Sequence, residues 1–200
     1  MKPKLLIATN NQGKLKEIRA ILGDLDIQLV SPADIGLDLN VAEKGQTYAE
    51  NAMKKALAFS QTSGMVSLAD DSGLEVDALD GAPGLHSKRY ASIPHAKDAD
   101  RRAILLENLN GKPRPWVARF RATMAIAGPG RGVKLVEGIC PGEVIPEERG
   151  MGGFGYDPIF LITDLNKTMA ELSMDEKNRL SHRGQALQNA IPVLEELFGN

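Results

Sequence analysis

At 200 residues, with 24 Lys and Arg against 26 Asp and Glu and a formal net charge of −2, the chain lacks the basic surplus of a protein that lives on phosphate attraction to nucleic acid. One cysteine, Cys140, excludes an internal disulfide and a multi-cysteine metal site and suits a reducing cytosol. The lysine-flanked apolar run near the amino terminus is too short for a signal peptide and no apolar stretch approaches membrane length, so the expectation is a soluble cytoplasmic protein with no membrane partner.

Residues 4–8, apolar from Leu5 to Ala8, predict a buried strand, after which Thr9-Asn10-Asn11-Gln12-Gly13-Lys14 intervenes. Leu15, Ile18 and Leu22 then recur at helical spacing until Gly23. Residues 27–30 predict a second short strand and residues 31–45 an irregular acidic connection. Thr47-Tyr48-Ala49-Glu50 fits a capping box opening a helix, with Ala49, Ala52, Met53 and Ala56 on its buried side and Asn51 and Lys55 sharing another face. "MVSLADDSGLEVDAL", residues 65–79, predicts strand, turn, strand around an Asp70-Asp71-Ser72-Gly73 corner. A helix is expected over 98–109, and "WVARFRATMAIAG" and "VKLVEGIC" predict an antiparallel pair around Gly128-Pro129-Gly130. Residues 146–158 are too glycine-rich for regular structure. Ser173-Met174-Asp175-Glu176 is a second capping box, opening a helix whose core stripe would be Leu180, Leu187, Ile191, Leu194 and Phe198, kinked or split by Pro192. The sum is an α/β protein with a long mixed central sheet flanked by helices.

Several stretches carry chemistry. Residues 9–14 lie where a strand opens onto a helix, whose first amide N–H groups can hold an anion, although Asn11 as a simple cap beside a solvated Gly13-Lys14 fits the same letters. Asp70 and Asp71 need compensating charge or donors, and magnesium, which takes one or two carboxylates with phosphate oxygens and water, would supply it. Glu43 is a candidate second carboxylate. In "GGFGYDP", residues 152–158, Phe154 and Tyr156 stand among glycines as a platform for a planar ligand. Lys177, His182 and Arg183 add donors suited to phosphate or a base carbonyl.

Assembled, the motifs "TNNQGK" at 9–14, "TYAENAMKKA" at 47–56, "ADDSGLEVDAL" at 69–79 with "GAPG" at 81–84, "GGFGYDPIF" at 152–160 and "EKNRLSHRGQAL" at 176–187 closely resemble the inosine triphosphate pyrophosphatase family. The resemblance implies hydrolysis of deaminated purine nucleoside triphosphates, Mg²⁺ as cofactor, a homodimer, and one domain over residues 1–200 built of two lobes with a substrate cleft between them. It implies that Thr9, Asn10, Asn11, Gln12, Gly13 and Lys14 hold phosphates. Asp71 would be the metal-linked catalytic carboxylate and proton acceptor, with Glu43 as a second metal ligand, Lys55 a phosphate-facing catalytic lysine and Ser72 a substrate contact. Phe154, Gly155, Tyr156, Asp157, Lys177, His182 and Arg183 would contact base and substrate, His182 and Arg183 forming a donor-rich pocket for the six-oxo group. Many relatives carry two adjacent acidic residues where this chain has Ala42-Glu43, and often an aromatic at His86, which is given no role. A Maf-like pyrophosphatase for pyrimidine or modified nucleotides and a nucleotide-binding sensor are the alternatives. Ser181-His182-Arg183 speaks against the first, and Asp70-Asp71 with Lys14 against the second.

Overall fold

A computed structural model describes residues 2–199. Seven strands form one mixed sheet in the order β2-β1-β3-β4-β5-β6-β7. They are β1 (Lys4–Ile7), β2 (Gln28–Val30), β3 (Val66–Val76), β4 (Trp116–Ala127), β5 (Lys134–Val144), β6 (Phe160–Ile162) and β7 (Lys167–Thr168). Strand β1 runs parallel to β2 and β3, with Leu6 opposite Val30 and Ser67, whereas β6 is antiparallel to β5 and β7. The helices are α1 (Gln12–Leu22), α2 (Tyr48–Ser63), α3 (Asp98–Leu109), α4 (Met174–Leu180) and α5 (His182–Phe198).

The chain divides into two compact units. The first comprises the residues up to Asp71, Ala122–Gly138, and those from Arg183 onward; the second comprises Ser72–Arg121 and Ile139–His182. Alternation along the strands gives the first unit a core on each sheet face. On one face Leu5, Ile7, Leu68, Met124 and Ile126 meet Leu15, Ile18 and Leu22 of α1 and Leu187, Ala190 and Leu194 of α5. On the other, Leu6, Ala8, Ala69, Ala125 and Ala127 meet Ala52, Ala56 and Phe59 of α2. The second unit has its own core, in which Leu105 and Leu109 of α3 pack with Leu74, Trp116, Phe120, Val144, Ile159, Phe160 and Met169. Cys140 is a free, buried thiol there, pushed up to about 12 by burial and by neighbouring Asp157, so it packs as an apolar group. Among the described residues no helix is long and apolar enough to cross a membrane.

Helix starts follow side-chain chemistry. Asn11 accepts the Lys14 N–H at 3.1 Å and caps α1. Thr47 accepts the Glu50 N–H at 3.1 Å, but the Glu50 carboxylate takes the N–H of Gln46 at 2.9 Å, one residue outside the expected box. Ala49 and Met53 of α2 are half-buried, while Asn51 is fully buried.

Two expectations are corrected. β3 runs unbroken from Val66 to Val76, with no turn at Asp70-Asp71-Ser72-Gly73, because both carboxylates find partners that permit extended backbone. The single carboxy-terminal helix is two: α4 ends at Leu180, Ser181 is extended at φ −70° and ψ 156°, and α5 starts at His182. Leu180 is accordingly 37% exposed instead of joining the core, and α5 continues through Pro192 without splitting.

The Ser173–Glu176 capping box is complete, with Glu176 Oε2 accepting the Ser173 N–H at 2.7 Å and Lys167 Nζ lying 3.0 Å from Oε1. The Ser173 N–H, with help from Lys167, holds the Glu176 carboxyl at about 2, below the ordinary glutamate value. A depressed folded value means that this contribution to stability is fully present above the ordinary glutamate pKa and disappears as pH falls toward about 2. Thermal unfolding of the protein and of Glu176→Gln should therefore differ in midpoint near neutral pH and converge as acid is added. A midpoint difference that does not depend on pH would contradict the assignment.

Candidate active site

Adjacent residues of a strand point to opposite faces, and that rule organises the charges of the first unit. Asp70 faces the side of α1 and α5, as Leu68 does two residues earlier. Its Oδ1 lies 2.5 Å from Lys14 Nζ, and its Oδ2 accepts from Arg183 Nε at 3.0 Å. Arg183 Nη1 donates to Glu17 Oε2 at 2.6 Å, so two carboxylates and two cations form a chain from α1 to α5 that is buried except at the half-buried Lys14. Burial opposes ionisation of Asp70, but Lys14, Arg183 and Lys55 outweigh it and hold this carboxyl well below the usual range. The first turn of α1 presents Lys14 because Asn11 caps that helix, so the cap and the ion pair come from one loop.

Asp71 faces α2. Its Oδ2 accepts from Asn51 Nδ2 at 2.9 Å, while Asn51 Oδ1 accepts the Gly45 N–H at 2.7 Å. One amide thus ties the acidic connection to the strand. A side chain on Gly45 would run into the same Asn51 amide, so the close approach needs glycine. Lys55, one helical turn after Asn51, donates to the Asp70 carbonyl at 2.5 Å and to Glu43 Oε1 at 2.8 Å, and its Nζ lies 4.0 Å from Asp71 Oδ1. Burial raises the Asp71 carboxyl above its ordinary value, and Lys55 and Asn51 oppose that only in part. The outcome is two neighbouring carboxyls of opposite character: Asp70 is locked as an anion, and Asp71 is the more basic.

In the second unit, Asp157 and Lys177 form a buried ion pair of 2.7 Å. Asp157 Oδ2 also accepts the Phe154 N–H at 2.8 Å, and Lys177 Nζ sits 5.0 Å from the centre of the Phe154 ring. Tyr156 is buried, its hydroxyl donating to the Ser87 carbonyl at 2.8 Å, so Phe154 is the more open of the two aromatics. His182 is buried and stacked on Phe120, with ring centres 4.6 Å apart and planes 12° from parallel.

Lys14, Lys55, Glu43 and Asp71 of the sequence-derived set therefore lie in the first unit around β3, α1 and α2, with Thr9 half-buried and Asn10 exposed in the loop leading into α1, and Gln12 exposed and Gly13 half-buried in its first turn. Phe154, Gly155, Tyr156, Asp157, Lys177 and His182 lie in the second, as does the half-buried Ser72. His182 and Arg183, read from sequence as one donor-rich pair, belong to different units, and the Arg183 guanidinium engages Asp70 and Glu17. Sequence reasoning gave no role to Asn51 or Glu17. The spacing of Asn51 and Lys55 on one helical face was the available sign for the first; Glu17 had none, since its partner is remote in the chain.

Residues 5–193 match the Ham1 family. A protein of Desulforamulus reducens named dITP/XTP pyrophosphatase is 47% identical over 98% of this chain and 97% of its own length. Among solved structures, a HAM1 protein from Coxiella burnetii aligns with a TM-score of 0.87 at 38% identity, covering 97% of this chain and 99% of that one. The Ham1 protein of Staphylococcus aureus aligns with a TM-score of 0.85 at 36% identity over 97% and 99%. Matched along nearly its whole length in both sequence and fold, the chain belongs to the Ham1 family.

Proposed function

We propose that this protein hydrolyses deaminated purine nucleoside triphosphates, ITP, dITP and XTP, to the monophosphate and pyrophosphate, and so keeps them out of DNA and RNA. The observation that carries the reading is the Asp71 corner: a buried carboxylate of raised basicity sharing one lysine ammonium with Glu43. Relatives named dITP/XTP pyrophosphatase supply the substrate class.

The donor set suits magnesium. Glu43 and Asp71 both reach the Lys55 ammonium, so two hard oxygen donors converge on a point already occupied by positive charge. Magnesium takes one or two carboxylates together with phosphate oxygens and water, and two carboxylates are what this corner offers. Asp71 and Glu43 would hold it, and when bound it would neutralise charge on the phosphate oxygens.

Hydrolysis is then positioning and proton management. Asp71 accepts a proton from the water that attacks the α-phosphorus, and the bond from that phosphorus to the bridging oxygen of the β-phosphate breaks. Asn51 aims the Asp71 carboxylate, and Lys14 and Lys55 exchange carboxylate partners for the departing pyrophosphate. Thr9, Asn10, Asn11, Gln12 and Gly13 offer amides and side chains to the same phosphates, and Ser72 contacts substrate. Arg183 acts from the phosphate side by holding Asp70, and through it Lys14. In the second unit Phe154 stacks on the base, Gly155, Tyr156, Asp157 and Lys177 shape that platform, and His182 reads the six-oxo group. A homodimer and a cytoplasmic location complete the reading.

Pyrophosphate release should be followed from ITP, XTP, GTP, ATP and dTTP, each with and without Mg²⁺. Magnesium-dependent release confined to ITP and XTP is expected, whereas intact recovery of a bound triphosphate would mark a sensor. Asp71→Asn should lower turnover by about a thousandfold or more while the protein still folds, and retained activity would remove Asp71 from the chemistry. Phe154→Ala should raise KM for ITP and XTP alike, by about tenfold, because a ring face does not distinguish bases; loss for one base alone would contradict stacking.

A further inference from the structure

We infer that Asp98 and Arg102, at the start of α3, are positioning residues that clamp the Gly155 peptide groups and thereby set the Phe154 platform; the inference rests on the nucleotide reading above. The two side chains stand four residues apart on one helical face. Asp98 Oδ2 accepts the Gly155 N–H at 2.8 Å, and Arg102 Nη1 donates to the Gly155 carbonyl at 2.8 Å. Both backbone polar groups of one glycine are therefore taken by charged side chains from a single helix turn. Gly155 has φ +63°, a left-handed conformation that a residue with a Cβ adopts only under strain. Glycine visits many other conformations as readily, so this backbone needs external partners to stay in one arrangement.

The clamp is itself braced. Arg102 Nε and Nη2 fork onto Glu148 at 2.7 and 2.9 Å, and Asp98 Oδ1 pairs with Arg101 Nη1 at 2.5 Å. The Arg102 side chain is only 12% exposed, so its charge-assisted bonds work with little competition from water. On the other side of Phe154, Asp157 holds that residue's own N–H. The peptide units before and after Phe154 are thus each fixed by a carboxylate, and the ring between them inherits its direction. Neither Asp98 nor Arg102 belongs to the apolar core of the second unit, which α3 enters through Leu105 and Leu109. Their bonds to Gly155 serve the loop and not the packing of the helix.

The test compares Asp98→Ala, Asp98→Asn and Arg102→Gln with the unaltered protein, by calorimetric titration with inosine monophosphate and separately with inorganic pyrophosphate, and by ITP kinetics. Asp98→Ala and Arg102→Gln should weaken inosine monophosphate binding about five- to tenfold, leave pyrophosphate binding within about twofold, and raise KM more than they lower kcat. Asp98→Asn keeps an oxygen that can accept the Gly155 N–H and should bind inosine monophosphate within about twofold of the parent. Equal loss of both ligands, no loss of either, or Asp98→Asn as weak as Asp98→Ala would overturn the inference. If Arg102→Gln fails to fold, the partly exposed Asp98 decides alone. An unaltered protein that binds pyrophosphate but not inosine monophosphate sinks the nucleotide reading and the inference with it, whereas normal binding by every variant sinks the inference alone.

Discussion

The twofold alternation of a β-strand is the constraint on which the site depends. Because β3 continues straight through Asp70 and Asp71, the two carboxylates project to opposite faces of the sheet and do not confront one another. Each then meets the helices of its own face. Asp70 meets cations delivered by α1 and α5, and Asp71 meets an amide and a lysine delivered by α2. A turn at this point would have placed both in one solvated corner, with neither the locked anion nor the raised base.

Burying this many charges is costly unless every one is paired and hydrogen-bonded, and the pairing here is shared across the network. Arg183 joins Glu17 to Asp70, Asp70 holds Lys14, and Lys55 links the Asp70 backbone to Glu43. Such a network gives little net stability compared with apolar packing, but it sets positions closely, which is what phosphoryl transfer asks of a protein. The second unit uses the same device on a smaller scale, with the Asp157–Lys177 pair and the α3 carboxylate and guanidinium holding a glycine-rich loop that has no regular backbone ladder of its own.

Local patterns predicted what local physics decides. The apolar run of β1, the spacing of Leu15, Ile18 and Leu22, the span of α3 and the Ser173–Glu176 box all appear where the letters place them. The errors fall where distant residues decide. Asp-Asp-Ser-Gly has the composition of a turn, and Lys14, Asn51 and Arg183, all distant in the chain, permit a strand instead. The periodicity through Leu180 and Leu187 suggested one helix, yet Lys177 is buried in the second unit and Arg183 in the first, and the extended Ser181 between α4 and α5 lets each side chain reach its own partner. The residues about Asp71 and Phe154 could be named from motifs, whereas the bracing by Asn51, Glu17, Asp98 and Arg102 could not, since a brace is defined by what it touches.

The first unit's third segment begins only at Arg183. During synthesis, therefore, the sheet face carrying Leu5, Ile7 and Leu68 stays without Ala186, Leu187, Ala190 and Leu194 until α5 has been translated. Asp70 likewise waits for its guanidinium until Arg183 has left the ribosome. The second unit, whose segments end at His182, has all its residues earlier. Completion of the first unit thus comes after that of the second, and a nascent chain stalled before α5 would display an uncovered apolar sheet face with a buried-type carboxylate in it, the kind of surface that chaperones bind.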